Sequence, residues 1–518
     1  MNEEKQLDQP SSLEVDSQEE KKDSDSSLTH CDEIKQFLSL GIVLAGMAIE
    51  FIGVNAILST FKYGDAAAAA VTAPYNLISN PCSSFFTIAT LSLEHAKSNK
   101  ETGEIVQDIW LWTEFLGLAS TTGLIIAGGF FYTTLDYEIA QNAAFPFMLG
   151  AALSQAPSYM IVRHSTDIEY LANKTQFPIL NSILFRLISP CMGYVLGVQL
   201  GLGPFGLGFA SAVTAQLFTF VSRAYFNFSE FSKYEIPKFE VSYTYFQKFI
   251  NSRINFLINI TKNDHIKNEW LPNGWRYALQ GLLSWGNLTL MTTAVGLYNT
   301  NDLTALLPSL LYFTLVGLFS QGIGLAAVEL AIKKIRHGME KQAALNALTK
   351  KMVAIAIVGS IILGSVVYAT EPYITQTLIS DSALHDDAKR FLIAHLIFTP
   401  FEWCRYAFGV QLSVIGKEQL TQGALFGFFC MTILTLLPAL IYGIPEENTD
   451  VIVWMRNIGI ALNTIVYGAG LYNGGLPDIA SSTRKALTFG FWNNSQPDNQ
   501  STRSINQEEK QNEIQAQP

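Results

Sequence analysis

The sequence contains little charge for its length. Asp, Glu, Lys and Arg make up 15% of its 518 residues, and 49% are hydrophobic, whereas charged residues are about 25% of a typical soluble domain. This composition excludes a conventional soluble protein and indicates that much of the chain lies in a lipid bilayer. Basic residues are not in excess, because the net charge is −11. We therefore expect no nucleic-acid partner, since phosphates require a concentrated basic surface.

Cysteine is scarce, and its number is odd. Four of the five cysteines lie in apolar stretches, and none belongs to a Cys-x-x-Cys pair, which excludes a disulfide framework and a zinc site of that type. Motifs for ATP binding (G-x-x-x-x-G-K-[ST]), zinc proteolysis (H-E-x-x-H) and serine hydrolysis (G-x-S-x-G) are also missing. We expect no enzymatic activity, no metal and no cofactor.

Apolar segments of about 20 residues recur from Phe37 onward, and each is long enough to cross about 30 Å of hydrocarbon as a helix. They predict an all-α integral membrane protein with twelve transmembrane helices, six on each side of a long polar connector. The predicted spans are 36–60, 66–92, 106–132, 139–162, 175–199, 205–226, 274–298, 304–332, 350–369, 388–414, 420–443 and 451–474.

These spans divide the chain into five parts. Residues 1–35 hold eleven acids and four bases, a composition typical of a disordered tail. The N-lobe (helices 1–6) is expected at 36–226, the connector at 227–273 and the C-lobe (helices 7–12) at 274–474, before a polar tail at 475–518. Without the two tails the body has 28 acids and 25 bases, so the acidity of the chain belongs mainly to the tails.

The charges of the loops predict the orientation of the helices. Lys and Arg concentrate in alternate loops, as at Lys333, Lys334 and Arg336, whereas the loops between them carry acids such as Asp136 and Glu446. Because cytoplasmic loops are rich in Lys and Arg, both termini and the connector are expected in the cytoplasm. The prediction is a multi-pass protein of a bacterial inner membrane, in contact with the lipid bilayer.

The two halves share a pattern that indicates an internal repeat. Pro157 precedes Lys174 by seventeen positions, and Pro400 precedes Lys417 by seventeen, with each lysine at the start of the next span. Because each unit has an even number of helices, both run in the same sense and form parallel repeats. We expect two pseudo-symmetric six-helix bundles with a cavity between them near the bilayer midplane, where secondary transporters bind their substrates.

Three stretches carry a resemblance to a known family. They are "VNAILSTFKYGDAAAAAVTAP" (54–74), "GLFSQGIGLAAVELAIKKIRHG" (317–338) and "FGVQLSVIGKEQLTQGALFGFFCMTILTLLPAL" (408–440). The chain from about Phe37 to Gly474 resembles the multidrug and toxic compound extrusion (MATE) family, within the superfamily that includes polysaccharide flippases. The resemblance implies a V-shaped pair of bundles with a central cavity, and antiport of protons or sodium against amphipathic, often cationic, organic compounds.

Ionisable residues inside the predicted spans are the candidates for coupling to an ion gradient. Glu402 lies where the resemblance implies an acid in the second lobe, with Arg405 three residues on and on the same helix face, so the pair could also be structural. Glu50 and Glu114 are the other two candidates. Arg186 is expected to be a counter-charge.

The first helix and the seventh helix depart from the family pattern. The family usually has an aspartate at the position of Asn55 and an acid near that of Trp285, and neither residue here can titrate as an acid. A proton carrier in the first helix must therefore be Glu50. A sodium site built from two carboxylates is disfavoured, because a hard cation requires several oxygen ligands, so proton coupling is favoured over sodium coupling. Arg456 is expected to be a counter-charge or to extend toward the membrane surface.

The predicted function is secondary active export of small amphipathic or cationic organic compounds by a monomer. The alternatives are a flippase for lipid-linked saccharides and a MATE-like protein that no longer transports. Polar and aromatic side chains in the spans could line the cavity and bind the organic substrate, the aromatic ones by cation–π attraction, although helix packing explains them equally well. These candidates are Asn55, Tyr75, Asn76, Asn80, Gln280, Trp285, Asn287 and Arg405.

Overall fold

The structure is a computed structural model. Its described part consists of α-helices with short 3₁₀ and π-helical segments, and no β-strand occurs among these residues. The described residues up to Leu476 form one unit, and Pro477 is the only described residue of a second. The structure describes Glu33, Ile34, Phe37, Leu38 and residues 50–477 without 94, 95, 97, 173–175, 237, 239, 241, 337 and 447.

The first half of the chain precedes the connector. Two of its helices contain a π-helical segment, and Ser154 interrupts one of these two. The helices are α1 (described over 50–58), α2 (Gly64–Leu93), α3 (Asn99–Thr134), α4 (Tyr137–Ile139, π-helical Ala140–Ala144, Phe145–Leu153 and Gln155–Ala172), α5 (Gln176–Gly193 and π-helical Tyr194–Gln199) and α6 (Gly203–Tyr225).

The connector contains a 3₁₀ turn at Ser229–Tyr234, the connector helix at Tyr243–Asn259 and a second 3₁₀ turn at Ile260–Lys262. A further 3₁₀ turn, Ser382–Leu384, lies in the second half. The helices of that half are α7 (π-helical Ile266–Trp270 and Leu271–Tyr298), α8 (Thr300–Ala305 and Leu307–Arg336), α9 (Lys341–Leu378), α10 (His385–Ile415), α11 (Lys417–Phe428, π-helical Phe429–Leu436 and Leu437–Gly443) and α12 (Thr449–Tyr472).

Within the described part of the chain, seven helices are long and apolar enough to cross a membrane by length and composition. Several exceed the thickness of the hydrocarbon core: the 38 residues of α9 correspond to about 57 Å at 1.5 Å per residue, against about 30 Å of hydrocarbon. The chain is therefore a multi-pass helical membrane protein. The seven segments are Asn99–Thr134, Leu180–Gln199, Gly203–Tyr225, Leu307–Ile332, Lys341–Leu378, Glu418–Gly443 and Thr449–Tyr472.

Glycines set the closest helix contact in the first half. A Cβ on Gly150 of α4 would lie 2.3 Å from the carbonyl oxygen of Phe205, and one on Gly208 of α6 would lie 2.4 Å from that of Phe147. Both distances are far below van der Waals contact, so only glycine permits this approach. The close crossing of α4 and α6 places Gly208 at the wall of the cavity described below.

One apolar cluster joins the two halves at one end of the molecule. It contains Leu58 of α1 and Val71 of α2, together with Met291, Leu310 and Phe391 from α7, α8 and α10, all at most 2% exposed. Loops that follow α1, α3, α7, α9 and α11 meet at this end, which we call the odd-loop end. Because the cluster is shared, the halves are sealed against each other there.

Polar contacts reinforce the seal at the odd-loop end. The Ser59 hydroxyl donates to the Thr377 carbonyl oxygen at 3.1 Å, and the Ser380 amide donates to the Asp65 carboxylate at 3.3 Å. The first bond connects the loop after α1 with the last turn of α9, and the second connects the loop after α9 with the first turn of α2. They therefore link the first half directly to the second.

Toward the opposite end, the even-loop end, the apolar core divides into two clusters. One consists mainly of residues of the first half and the connector, such as Ile109, together with Trp270 from the π-helical segment of α7. The other belongs to the second half and includes Leu330 and Leu412. The division leaves room for a cavity between the halves on this side.

An N-terminal segment contacts the second half at the even-loop end. Glu33, 2% exposed, accepts bonds from Lys351 and from Lys334, the latter at 2.5 Å. Phe37 is fully buried in the apolar cluster of the second half. Burial opposes ionisation of Glu33, but hydrogen bonds and charge from the two lysines outweigh it and hold the pKa of its carboxyl below the ordinary 4.5.

We expect Glu33→Gln to loosen this segment at neutral pH. Loss of the charge-assisted bonds should speed amide exchange around Phe37 about tenfold, which corresponds to a loss of about 1.4 kcal/mol in the free energy of docking. Hydrogen exchange with mass spectrometry measures this rate. Because the pKa of Glu33 is lowered on docking, its stabilisation is complete above pH 4.5 and is lost as the pH falls through the lowered value. Exposed Glu340→Gln is the control, and equal exchange in both variants would contradict the role of Glu33.

Candidate functional site

A cavity of about 840 Å³, including its open mouth, lies between the two halves. Helices α1, α2, α4, α5 and α6 supply most of its wall, and Thr314 and Leu318 of α8 supply the part from the second half. Hydroxyl, amide and aromatic side chains predominate. The other lining residues are Glu50, Phe51, Val54, Tyr75, Asn76, Ser79, Asn80, Phe147, Ala151, Ser154, Gln155, Ser158, Tyr159, Arg186, Gly208 and Ser211.

Glu50 and Arg186 form an ion pair in the cavity wall. Nη1 of Arg186 on α5 donates to Oε2 of Glu50 on α1. The other carboxylate oxygen accepts a hydrogen bond of 2.9 Å from the Ser211 hydroxyl of α6. Each charged residue is 6% exposed. The predicted proton carrier of the first helix is thus an ionic partner of Arg186, the predicted counter-charge.

The remaining polar groups of the wall form a preorganised network. The Gln155 amide donates to the Tyr75 hydroxyl at 2.9 Å, and its oxygen accepts from Ser120 at 3.2 Å. Tyr75 also stacks on Phe51, with ring centroids 5.4 Å apart. Since the Tyr75 oxygen accepts the bond from Gln155, its own proton can be donated to another group. The wall therefore presents an aromatic face beside hydrogen-bonding groups.

Two asparagines of α2 lie one helical turn apart in the same wall. Asn76 donates to the Thr72 carbonyl oxygen at 2.8 Å, and Asn80 donates to the Asn76 side-chain oxygen at 3.1 Å. Both were predicted to line the cavity, as was Tyr75, and all three lie in its wall.

The predicted coupling residue of the second half lies in a different place. Glu402 lines a small chamber within the second half, between α8, α10 and α12, of about 230 Å³ including its open side. Arg405 holds it in a bidentate pair, with Nη2 to Oε1 at 2.6 Å and Nε to Oε2 at 3.0 Å, and also donates to Ser284 at 2.9 Å. Both members are at most 3% exposed. Arg405 therefore neutralises Glu402 and does not line the larger cavity.

A second buried guanidinium lies beside the chamber. Arg456 of α12 is 1% exposed and sits over the Phe313 ring at 4.3 Å, so it does not extend to the membrane surface as expected. Its Nη1 is 3.4 Å from Nε2 of His395. Since Nδ1 of His395 faces the Phe391 carbonyl oxygen at 3.0 Å, that nitrogen carries the proton and Nε2 accepts from Arg456. A neutral histidine thus accommodates the additional positive charge.

Glu114, the third predicted coupling candidate, is a link to the connector. Its Oε1 accepts from Arg223 of α6 at 3.3 Å and from Arg253 of the connector helix. The carboxylate is 20% exposed and lies outside both cavities. This arrangement couples α3 to the connector rather than to a substrate space.

Three other predicted cavity residues, Asn55, Trp285 and Asn287, lie away from the cavity wall. Asn55 is fully buried and donates to the Phe51 carbonyl oxygen at 2.7 Å. Trp285 packs edge-on against Phe313, and Asn287 donates to the Met431 carbonyl oxygen at 2.8 Å. The side chain of Gln280 lies outside the described residues.

Several wall and chamber residues were not identified in the sequence. Gln155, Tyr159, Ser211 and His395 lie in helices α4, α6 and α10, but a single polar residue in an apolar helix does not reveal which face it occupies. Pro157 was the one sequence feature that pointed to Gln155 and Tyr159, because it lies between them and belongs to the internal repeat. Within the described residues, no cluster of three or more His, Cys, Asp or Glu side chains could hold a metal ion.

The chain is similar to solved transporter structures over most of its length. A eukaryotic MATE transporter, AtDTX14, aligns with 88% of this chain and 99% of its own at 14% identity, with a TM-score of 0.65. An outward-facing multidrug resistance MATE family transporter of the MOP superfamily aligns over 88% and 97% at 14% identity and a TM-score of 0.58. A MOP superfamily transporter from Pyrococcus furiosus, whose binding pocket is described as having reverse polarity, aligns over 88% and 96% at 12% identity and a TM-score of 0.57.

Comparisons with protein-family models and with curated proteins found no match. The apolar helices define a multi-pass membrane protein, and a cavity lies between its two halves. Its fold is that of the MATE transporters. The resemblance predicted from the three sequence stretches is therefore confirmed at the level of the fold.

Proposed function

We propose that the chain is a secondary active exporter of small amphipathic or cationic organic compounds, driven by proton antiport. The observation that carries the proposal is the cavity between the halves, with a buried ion pair, an aromatic face and hydrogen-bonding groups in its wall. The twelve helices α1 to α12 would form two six-helix lobes. The substrate would bind between them at the level of Glu50.

The direction of opening supports alternating access as the transport mechanism. The halves share a core at the odd-loop end and have separate cores at the even-loop end. If the even-loop end is cytoplasmic, as the loop charges predict, this conformation is open to the cytoplasm. Export then requires the seal at Ser59 and Ser380 to break while the even-loop end closes.

Proton coupling would act through the paired carboxylates. Protonation of Glu402 or Glu50 would weaken its pair with Arg405 or Arg186, and the change in charge would favour one conformation over the other. Glu114 is the weakest of the three candidates, because its partners tie it to the connector.

A flippase for lipid-linked saccharides is disfavoured by the charge of the cavity wall. Such a substrate carries a diphosphate, which is bound best by several arginines. Among the described lining residues Arg186 is the one arginine, and Glu50 already neutralises it. A protein that no longer transports remains the other alternative.

Everted membrane vesicles from bacteria that express the full chain test the proposal. An imposed inward-acid pH gradient should drive accumulation of radiolabelled chloramphenicol, a neutral amphipathic compound, or of tetraphenylphosphonium, an organic cation, and a protonophore should abolish it. Accumulation of either compound, with release of vesicle protons, supports proton-coupled export. If vesicles with the protein accumulate no more of either compound than vesicles without it, the proposal is overturned in favour of the transport-inactive alternative.

A further inference from the structure

The charges that face the large cavity cancel. Among the described residues of its wall, Glu50 is the single carboxylate and Arg186 the single base, and the two are paired. The buried charges of the chamber in the second half, Glu402 against Arg405 and Arg456, add positive rather than negative charge. No described group therefore supplies an uncompensated negative charge to this space.

The geometry of the pair makes Glu50 a poor partner for a cationic substrate. One carboxylate oxygen is bound by Arg186 and the other by Ser211, and the residue is 6% exposed. A cation could reach the carboxylate only by displacing the guanidinium, which would then remain buried without a partner. An anion faces the same difficulty at Arg186.

The rest of the wall suits an uncharged molecule. Phe51 and Tyr75 offer a stacked aromatic face, and Tyr75 has a proton to donate. The Ser158 hydroxyl and the Asn76 amide lie in the same wall. Aromatic groups and neutral hydrogen-bonding groups together match an amphipathic compound with an aromatic body and polar, uncharged substituents.

We propose that Arg186 is a specificity-determining residue that cancels the charge of Glu50, so that the cavity selects uncharged aromatic compounds with hydrogen-bonding groups over organic cations. The inference rests on the proposed function only in taking this cavity as the substrate site. It narrows the substrate class from amphipathic or cationic compounds to neutral ones. Arg186 acts here by neutralising Glu50 rather than by binding the substrate itself.

Three probes of similar shape but different charge test the proposal. Equilibrium binding to the purified full chain in detergent is measured for tetraphenylphosphonium (cationic), tetraphenylborate (anionic) and triphenylphosphine oxide (neutral, with a hydrogen-bond acceptor). The wild type should bind the neutral probe about tenfold more tightly than either ion, a ratio equivalent to about 1.4 kcal/mol. Tighter binding of the phosphonium, or no binding of any probe, would overturn the proposal.

Two single variants should shift selectivity in opposite directions. Arg186→Gln exposes the charge of Glu50 and should raise phosphonium affinity about tenfold, whereas Glu50→Gln exposes Arg186 and should raise borate affinity about tenfold. The double variant restores neutrality and should recover the preference for triphenylphosphine oxide. The same direction of shift in both single variants would contradict the role of the pair.

Glu371→Gln is the matched control, because it removes a 5% exposed carboxyl of α9 that lies outside the cavity. Its selectivity should equal that of the wild type. If a single variant does not fold, the variant Glu50→Arg/Arg186→Glu, which exchanges the two charges, is used in its place. Its pair has no net charge, so it must keep the preference for the neutral probe. If the protein prefers the neutral probe in binding but does not transport in vesicles, the proposed function is refuted and this inference stands. If it transports but binds the phosphonium more tightly, the proposed function stands and this inference is refuted.

Discussion

Glu402→Gln should abolish proton-coupled transport and destabilise the protein strongly. Arg405 has both of its carboxylate bonds on Glu402, and the guanidinium of Arg456 is buried nearby. Removal of the carboxylate leaves two buried positive charges without a counter-charge, which costs about 3–5 kcal/mol. Thermal unfolding in detergent should show a much lower midpoint, and the pH-driven accumulation in everted vesicles should disappear.

A double variant separates the structural role of Glu402 from its role in coupling. Glu402→Gln/Arg405→Gln removes the pair as a whole, so most of the lost stability should return. Transport driven by the pH gradient should remain absent, because no carboxyl is left to bind the proton at this position. Glu371→Gln is again the control for the loss of a buried carboxyl. If the double variant couples transport to the gradient as the wild type does, Glu402 is not the coupling group.

A disulfide across the odd-loop seal should stop transport completely. Ser59 and Ser380 lie on opposite halves, and the Ser380 hydroxyl is 3.5 Å from the Ser59 carbonyl oxygen. In the Ser59→Cys/Ser380→Cys variant, oxidation should therefore lock the seal. Alternating access requires this seal to open, so accumulation in vesicles should fall to background on oxidation and return with a reductant.

The single-cysteine variants provide the control for this disulfide. Among the described residues, the native cysteines Cys82, Cys191, Cys404 and Cys430 are free and lie in helices. We therefore expect each single variant to be insensitive to oxidant. A cross-linked protein that transports at the rate of the reduced protein would show that the seal does not open during transport.

The sequence predicted the positions of the helices well because each apolar run must cover the hydrocarbon core. The span predicted at 205–226 corresponds to α6 at Gly203–Tyr225. α9 is longer than its predicted span of 350–369, because strong helix formers continue from Lys341 and the helix extends beyond the apolar stretch. The π-helical segments were not predicted, since hydrophobicity does not distinguish them from α-helix.

The candidate site could be predicted only where its chemistry was local. The pair of Glu402 and Arg405 follows from a spacing of three residues on one helix. The pair of Glu50 and Arg186 joins residues 136 apart in the sequence, and only packing of α5 against α1 brings them together. The contact of Arg456 with His395 also joins residues far apart in the sequence. The sequence therefore left two alternatives for this arginine, a counter-charge or an extension toward the membrane surface.

The central claim is that the protein alternates between a conformation open at the even-loop end and one open at the odd-loop end. A distance measurement at the even-loop end tests this claim most directly. Spin labels are attached at Lys100→Cys on α3 and Lys341→Cys on α9, both at exposed positions, in a protein whose five native cysteines are replaced by serine. Pulsed EPR is recorded on the Ser59→Cys/Ser380→Cys background, with the disulfide formed before labelling. With this disulfide intact, we expect a single long distance, corresponding to the conformation open at this end. In a matched protein that retains Ser59 and Ser380, a second, shorter distance should appear and should gain population when the pH is changed. An identical single distribution in both proteins at every pH would contradict alternating access.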